Sequence, residues 1–99
     1  MSKYVLHIPN AKFVDGKIEP IVTAAAKFAS EIAKKVDGGY LVDATGFYKG
    51  RTYQETLMVV YGDNVDEIFR EKCKEYHDLL CQEEYAYEKD NDLIKFKIG

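Results

Sequence analysis

Tryptophan is absent from this chain, and proline, cysteine and histidine occur twice each. Serine is found only at Ser2 and Ser30, one near the terminus and one in a helical stretch, which argues against a serine nucleophile. No strand-turn-helix Gly-x-Ser-x-Gly and no Cys/His/Asn set is present to supply hydrolase chemistry. Apolar runs stop far short of the roughly 20 residues that span a bilayer, so no membrane segment is expected. A basic segment followed by an apolar core is missing near the N-terminus, which makes the cytoplasm the expected location. Positive excess is lacking too: the net charge is −3, with Lys and Arg scattered among Asp and Glu. Duplex DNA or RNA is therefore not an expected partner, since its binders carry a basic stripe that releases counterions.

What remains is the composition of one globular domain: 99 residues, 46% hydrophobic and 31% charged. Eight tyrosines and five phenylalanines supply most of the bulk, a choice that suits sheets and interfaces. Cys73 and Cys81 fall in one helical stretch, about 12 Å apart at 1.5 Å per residue, beyond disulfide reach. They read as reduced thiols. With His77 they stand at i, i+4 and i+8, but the outer two are too distant to share one ion. No metal or cofactor is expected.

Lys3–Ile8 alternates as a first strand, with Tyr4, Leu6 and Ile8 on one face and Val5 and His7 on the other. Phe13-Val14-Asp15-Gly16-Lys17-Ile18 has the form of a small hairpin, an ordered loop being the alternative. Pro20 suits the start of a helix whose stripe is Ile21, Ala25, Phe28, Ile32 and Val36, ending at Asp37-Gly38-Gly39. Glu31 and Lys35 stand four apart in the favourable order. Tyr40–Thr45 and Tyr53–Tyr61 read as the second and third strands, with Gly46 as a bulge. A two-residue turn at Lys49-Gly50 would set Ala44 opposite Glu55, so a longer loop pairing Ala44 with Thr56 is expected. Asn64 and Glu67 have capping-box spacing before a second helix with stripe Val65, Phe69, Cys73, Tyr76 and Leu80. Asp66 and Arg70 form an i,i+4 pair on its wet side, and it ends near Gln82. Glu84–Glu88 alternates as a short strand, Lys89–Asp92 turns, and Leu93–Ile98 is the last strand.

The order β-α-β-β-α-(β)-β is an α+β arrangement, the split βαβ or ferredoxin-like plan, with both helices on one face of the sheet. The Gly39-Tyr40 start, the Gly46-Phe47-Tyr48-Lys49-Gly50 turn, the Tyr53-Gln54-Glu55 entry and the Gln82-Glu83-Glu84 exit together resemble a family of small bacterial and phage proteins. The resemblance covers most of the chain and implies that fold. The family has no established activity, so it carries no catalytic residue across.

Leu57-Met58-Val59-Val60-Tyr61 is apolar throughout, so neither face of the third strand reads as wet. The side without helices is expected to carry Val5, His7, Leu41, Asp43, Glu55, Leu57, Val59, Tyr61, Leu93, Lys95 and Lys97. Apolar patches of that size seldom stay exposed, so this face is expected to pack on a second copy about a two-fold axis. The alternative is that the Phe13-Val14 segment folds over it. Phe47, Tyr48, Lys49, Arg51 and Tyr53 interleave rings with cations at a turn, a combination that stacks a ring and holds an anion. His7, Lys95 and Lys97 are expected to join them at the interface. Asp43 or Glu55 would orient His7 if it acted as a base.

These residues point first to a non-catalytic, oligomeric module that captures a small anionic or aromatic, nucleotide-like ligand. With the phage likeness, that ligand could be a host defence signal. One alternative is an inhibitor or adaptor acting on a host protein through a strand edge or the acidic Gln82–Asp92 segment. The other is a small enzyme centred on His7.

Overall fold

The computed structural model describes residues Met1–Gly99. Seven strands and two helices follow one another: β1 (Ser2–Ile8), β2 (Ala11–Val14), β3 (Lys17–Pro20), α1 (Val22–Ala33), β4 (Gly39–Tyr48), β5 (Arg51–Gly62), α2 (Val65–Leu80), β6 (Tyr85–Lys89) and β7 (Asp92–Phe96). Five strands form one antiparallel sheet in the order β4-β5-β1-β6-β7, and β2 and β3 form a separate hairpin. The molecule is thus α+β, and its strand order is compatible with the split βαβ plan.

The alternation expected of β1 is present, with Tyr4, Leu6 and Ile8 buried on the helix side. Val60, Met58, Tyr85 and Tyr87 share that side and meet Phe28, Ile32, Phe69, Cys73, Tyr76 and Leu80 from the helices. Aromatic rings fill the centre of this layer. Phe69 stands edge-on to Tyr87 and to Phe96, each at 5.8 Å between centroids. Phe28 bridges the helices, 5.9 Å from Phe69 and 5.7 Å from Tyr76. Such pairs add about 1 kcal/mol each beyond the area they bury. Burial pushes the Cys73 thiol up, which leaves it a small apolar residue of the core. Burial likewise pushes the Tyr85 hydroxyl up to about 12, so it stays protonated opposite His77 Nδ1 at 2.7 Å.

Several local expectations give way to tertiary constraints. Phe13–Ile18 does fold as a hairpin, but Pro20 ends β3, and α1 begins two residues later, at Val22. Asn64 is left-handed, with φ 57°, and its side chain caps nothing, so no capping box forms. Arg70 turns away from Asp66. Its guanidinium lies 4.5 Å from the Phe96 ring centre and donates to the Tyr87 hydroxyl at 3.3 Å, closing the aromatic layer. Glu31 pairs with Lys34 at 3.7 Å rather than with Lys35.

The largest correction concerns β4. Its register against β5 is unbroken from Gly39↔Val60 to Tyr48↔Arg51, through the tight turn Lys49-Gly50. Both turn residues have positive φ, 49° and 78°, the mirror-image turn that matches strand twist. Ala44 does sit opposite Glu55, and the pairing is tolerable because Ala44 faces away from the core. Tyr40, Val42 and Ala44 therefore occupy the open side of the sheet, whereas Leu41 and Asp43 lie on the helix side. Gly46 makes no bulge; the Tyr53 ring lies across it, filling the space a Cβ would need. Asp15-Gly16 and Asp90-Asn91 make turns of the same kind in the other two hairpins.

At the start of β4, Gly39 approaches β5 so closely that a Cβ would run into the Val59 carbonyl oxygen. Backbone cannot step aside as a side chain can. Gly39→Ala is expected to destabilise the fold by about 2 kcal/mol, seen as a lower urea midpoint. Gly38→Ala, with open space around it, serves as the neutral comparison.

Asp90 ties the β6–β7 turn to β1. Its Oδ1 accepts from the Lys3 N–H at 3.0 Å, and its own N–H donates to the Lys3 carbonyl at 2.9 Å. The Lys3 bond, with the Ser2 hydroxyl next, holds the carboxyl below its ordinary value of 3.8. A carboxyl depressed in the folded state contributes stability above that ordinary value and loses it as pH falls through the folded one. Asp90→Asn should be less stable than the parent at neutral pH. The gap should close as pH is lowered below about 4, checked by denaturation midpoints across pH.

Candidate functional site

Across the open side of the sheet, pairing sets Tyr40, Val59 and Val5 in one row and Val42, Leu57 and His7 in the next. Val59 is buried there by its neighbours alone, Leu57 is half-buried, and Tyr61 is 45% exposed. The face is therefore less uniformly apolar than the sequence implies. It is crossed by one polar group, built on three strands.

That group is His7 with two carboxylates. His7 Nδ1 lies 2.6 Å from Glu55 Oε1 on β5, and Nε2 lies 3.1 Å from Glu88 Oε2 on β6. Both contacts are partly shielded, the side chains of His7, Glu55 and Glu88 being 29%, 17% and 37% exposed. Each acid sits diagonally from His7 across a strand boundary, within reach of a long side chain. The ring donates to both acids when it carries both protons. The group is thus a cross-strand clamp of β5-β1-β6, each ring nitrogen facing a carboxylate on a neighbouring strand. Glu55 is the partner named from the sequence; Asp43 is not, because it lies on the helix side. Glu88 escapes a reading of the sequence that assigns no neighbour to β6, although the split plan sets that strand beside β1.

The clamp borders a concavity of about 870 Å³ at the end of β1. Its walls are the β2–β3 hairpin (Phe13 and Ile18), the start of β5 (Thr52 to Glu55) and the α2–β6 loop (Cys81 to Glu84). The loop is fixed by Gln82, whose Nε2 donates to the carbonyls of Ala11 at 2.8 Å and Leu80 at 2.6 Å. At that same base the Ile21 N–H donates to the Asn10 carbonyl at 3.0 Å. The hairpin pairs with no strand of the main sheet, and its Phe13-Val14 segment is exposed rather than folded over the open face. Phe13 and Ile18 are mostly exposed, presenting apolar surface to the concavity.

Among the residues singled out in the sequence, His7, Glu55 and Tyr53 line this space together. The others are spread out. Five pairs, Ala44–Glu55 through Tyr48–Arg51, project beyond Thr56, the last partner of β1. On this arm Tyr48, Arg51 and Tyr53 share the open side, and Lys49 lies over the Tyr48 ring at 5.3 Å. Phe47 is on the opposite side, 81% exposed. Lys95 is on the open side of β7, 3.9 Å from Glu84, and Lys97 lies past the end of that strand. Missed by sequence reasoning were Glu88, Gln82 and the hairpin's part in the wall.

Removing the imidazole leaves two part-buried carboxylates facing each other across β1. His7→Ala is expected to lower stability by about 1–2 kcal/mol. Adding Glu55→Gln should recover part of the loss, a coupling readable from a double-mutant cycle in urea.

No family model matches the chain, and neither a curated protein nor a solved structure matches it.

Proposed function

We propose that the protein is a non-catalytic binding module of the ferredoxin-like plan, active as an oligomer in the cytoplasm. Its ligand is small and aromatic, nucleotide-like in chemistry, and is held in the concavity at the end of β1. The observation that carries the reading is His7 clamped by Glu55 and Glu88 at the border of that space. Each of its ring nitrogens faces a carboxylate, so the residue ties three strands together and fixes one wall of the space. The space itself is of ligand size and is largely pre-formed, with Tyr53, Phe13 and Ile18 as its apolar surface.

Charge decides which part of a ligand enters. The lining holds Glu55, Glu83 and Glu84 against the single lysine Lys12. Carboxylates pair with ring amino and imino donors, so a nucleobase edge goes inward and phosphates stay at the mouth.

Native mass spectrometry of freshly purified protein and thermal shifts with nucleosides and mononucleotides test this. A retained small molecule, or a rise in Tm of roughly 4 °C or more at saturating nucleoside, is expected, and Tyr53→Ala should abolish it. No retained molecule and no shift at millimolar nucleoside would overturn the reading.

A further inference from the structure

The two edges of the five-stranded sheet are guarded very differently. β7 is five residues long and carries Asp92 and Lys95. β4 is ten residues long, has one charge, Asp43, and no proline. Tyr40, Leu41, Val42, Phe47 and Tyr48 are all exposed along it. Proteins ordinarily protect an edge with charge, proline, a bulge or a covering segment, because its free N–H and C=O groups recruit another strand. β4 has no such device: its pairing with β5 is regular over all ten residues.

The register shows which backbone groups are free. In a two-residue hairpin the residues flanking the turn exchange both hydrogen bonds, and bonded pairs then alternate. Tyr48, Gly46, Ala44, Val42 and Tyr40 therefore bond to β5. Phe47, Thr45, Asp43 and Leu41 direct their N–H and C=O groups out of the sheet.

We propose that two copies of the chain join antiparallel along β4, about a two-fold axis at Ala44. Each copy then seats its Phe47 beside Leu41 of the other, at the groove between α1 and β4. Few registers are open to such a pair. An axis between two residues would match outward-facing groups with inward-facing ones. An axis at Asp43 would set two carboxylates face to face. An axis at Val42 or Gly46 leaves less of the strand paired. The axis at Ala44 matches Tyr40 through Tyr48 with their symmetry mates: Asp43 meets Thr45, Leu41 meets Phe47, and Tyr40 meets Tyr48.

The groove supports the same register independently. It holds about 420 Å³ on the helix side of β4, lined by Ala26, Ala29, Ala33, Val36, Leu41 and Met58. Small residues on α1 leave room there for a ring that this chain does not itself supply. Phe47 is on the matching side of its strand and is 81% exposed in its own copy. The site in each copy is completed by a residue of the other. This pairing rests on the oligomeric reading given above and names the edge it uses; it leaves both open faces and both concavities uncovered.

Light scattering on a sizing column over a range of concentrations, with circular dichroism for folding, tests the pairing. The parent should be a dimer. Thr45→Pro removes an N–H directed away from β5 and should give a folded monomer, since edge strands accept proline at such positions. Phe47→Ala should weaken the dimer about tenfold or more. Ala44→Cys in a Cys81→Ser background should oxidise to a disulfide-linked dimer, because opposed non-hydrogen-bonded residues lie about 4.5 Å apart at Cα. Leu93→Glu, on the open face far from β4, should remain dimeric. Failure of Ala44→Cys to cross-link overturns the proposal even if Thr45→Pro does not fold. A dimer that survives Thr45→Pro but is lost in Leu93→Glu overturns the edge pairing and leaves an oligomeric binding module intact. A parent that is monomeric at every concentration overturns both.

Discussion

A two-residue turn decides the geometry of this protein. Lys49-Gly50 closes β4 onto β5 with no residue to spare, and side-chain direction along a strand has period two. The parity of that turn is transmitted to every residue of the longest hairpin. With Tyr53 and Glu55 on the side where His7 lies, it sends Phe47 to the other, and it turns the free backbone groups of Leu41, Asp43, Thr45 and Phe47 outward. One residue more in the loop would invert β4 against its neighbours. Tyr40 and Val42 would then be pressed into the core layer, and Leu41 would leave the groove.

The His7 clamp is the second constraint, and it depends on the register of β1 with its two neighbours. A histidine between two carboxylates on different strands pulls β5 and β6 toward β1 on the side where no helix helps. Below the sheet, Phe69, Phe28, Tyr87 and Phe96 do the same work by packing. The central strand is thus held from one face by apolar contact and from the other by the contacts of His7 with Glu55 and Glu88. The concavity lies where β1 runs out, and the hairpin and α2–β6 loop that wall it are tied to each other through Gln82.

Much of the fold is legible in the sequence because it rests on periodicity. The stripes Ala25-Phe28-Ile32 and Val65-Phe69-Cys73-Tyr76-Leu80, and the alternation of Tyr4, Leu6 and Ile8, identify buried faces without any knowledge of partners. What escapes is information held between elements. Ala44 opposite Glu55 looks unfavourable only while Ala44 is assigned to the core, and only the partner strand reverses that assignment. Arg70 has a local acid at Asp66, yet the face of Phe96, twenty-six residues later, is the better site for a guanidinium. Asn64 and Glu67 have capping-box spacing, but the chain must turn sharply out of β5 there, and a left-handed Asn64 makes the turn at the expense of the cap. The candidate site was half visible: His7, Glu55 and Tyr53 stand out as residue types, whereas Glu88 and Gln82 acquire meaning only from the strand order.

The position of β1 bears on how the chain reaches this state. It precedes the other strands in sequence, yet it lies in the middle of the sheet, between β5 and β6. The three mirror-image turns let each hairpin form from neighbours in sequence, quickly and on its own. β1 has no such local partner. Its two mates, β5 and β6, come from much later in the sequence, so its apolar alternation is met only by long-range pairing. The sheet is thus closed at its centre by the pairing of largest sequence separation, that of β1 with β6.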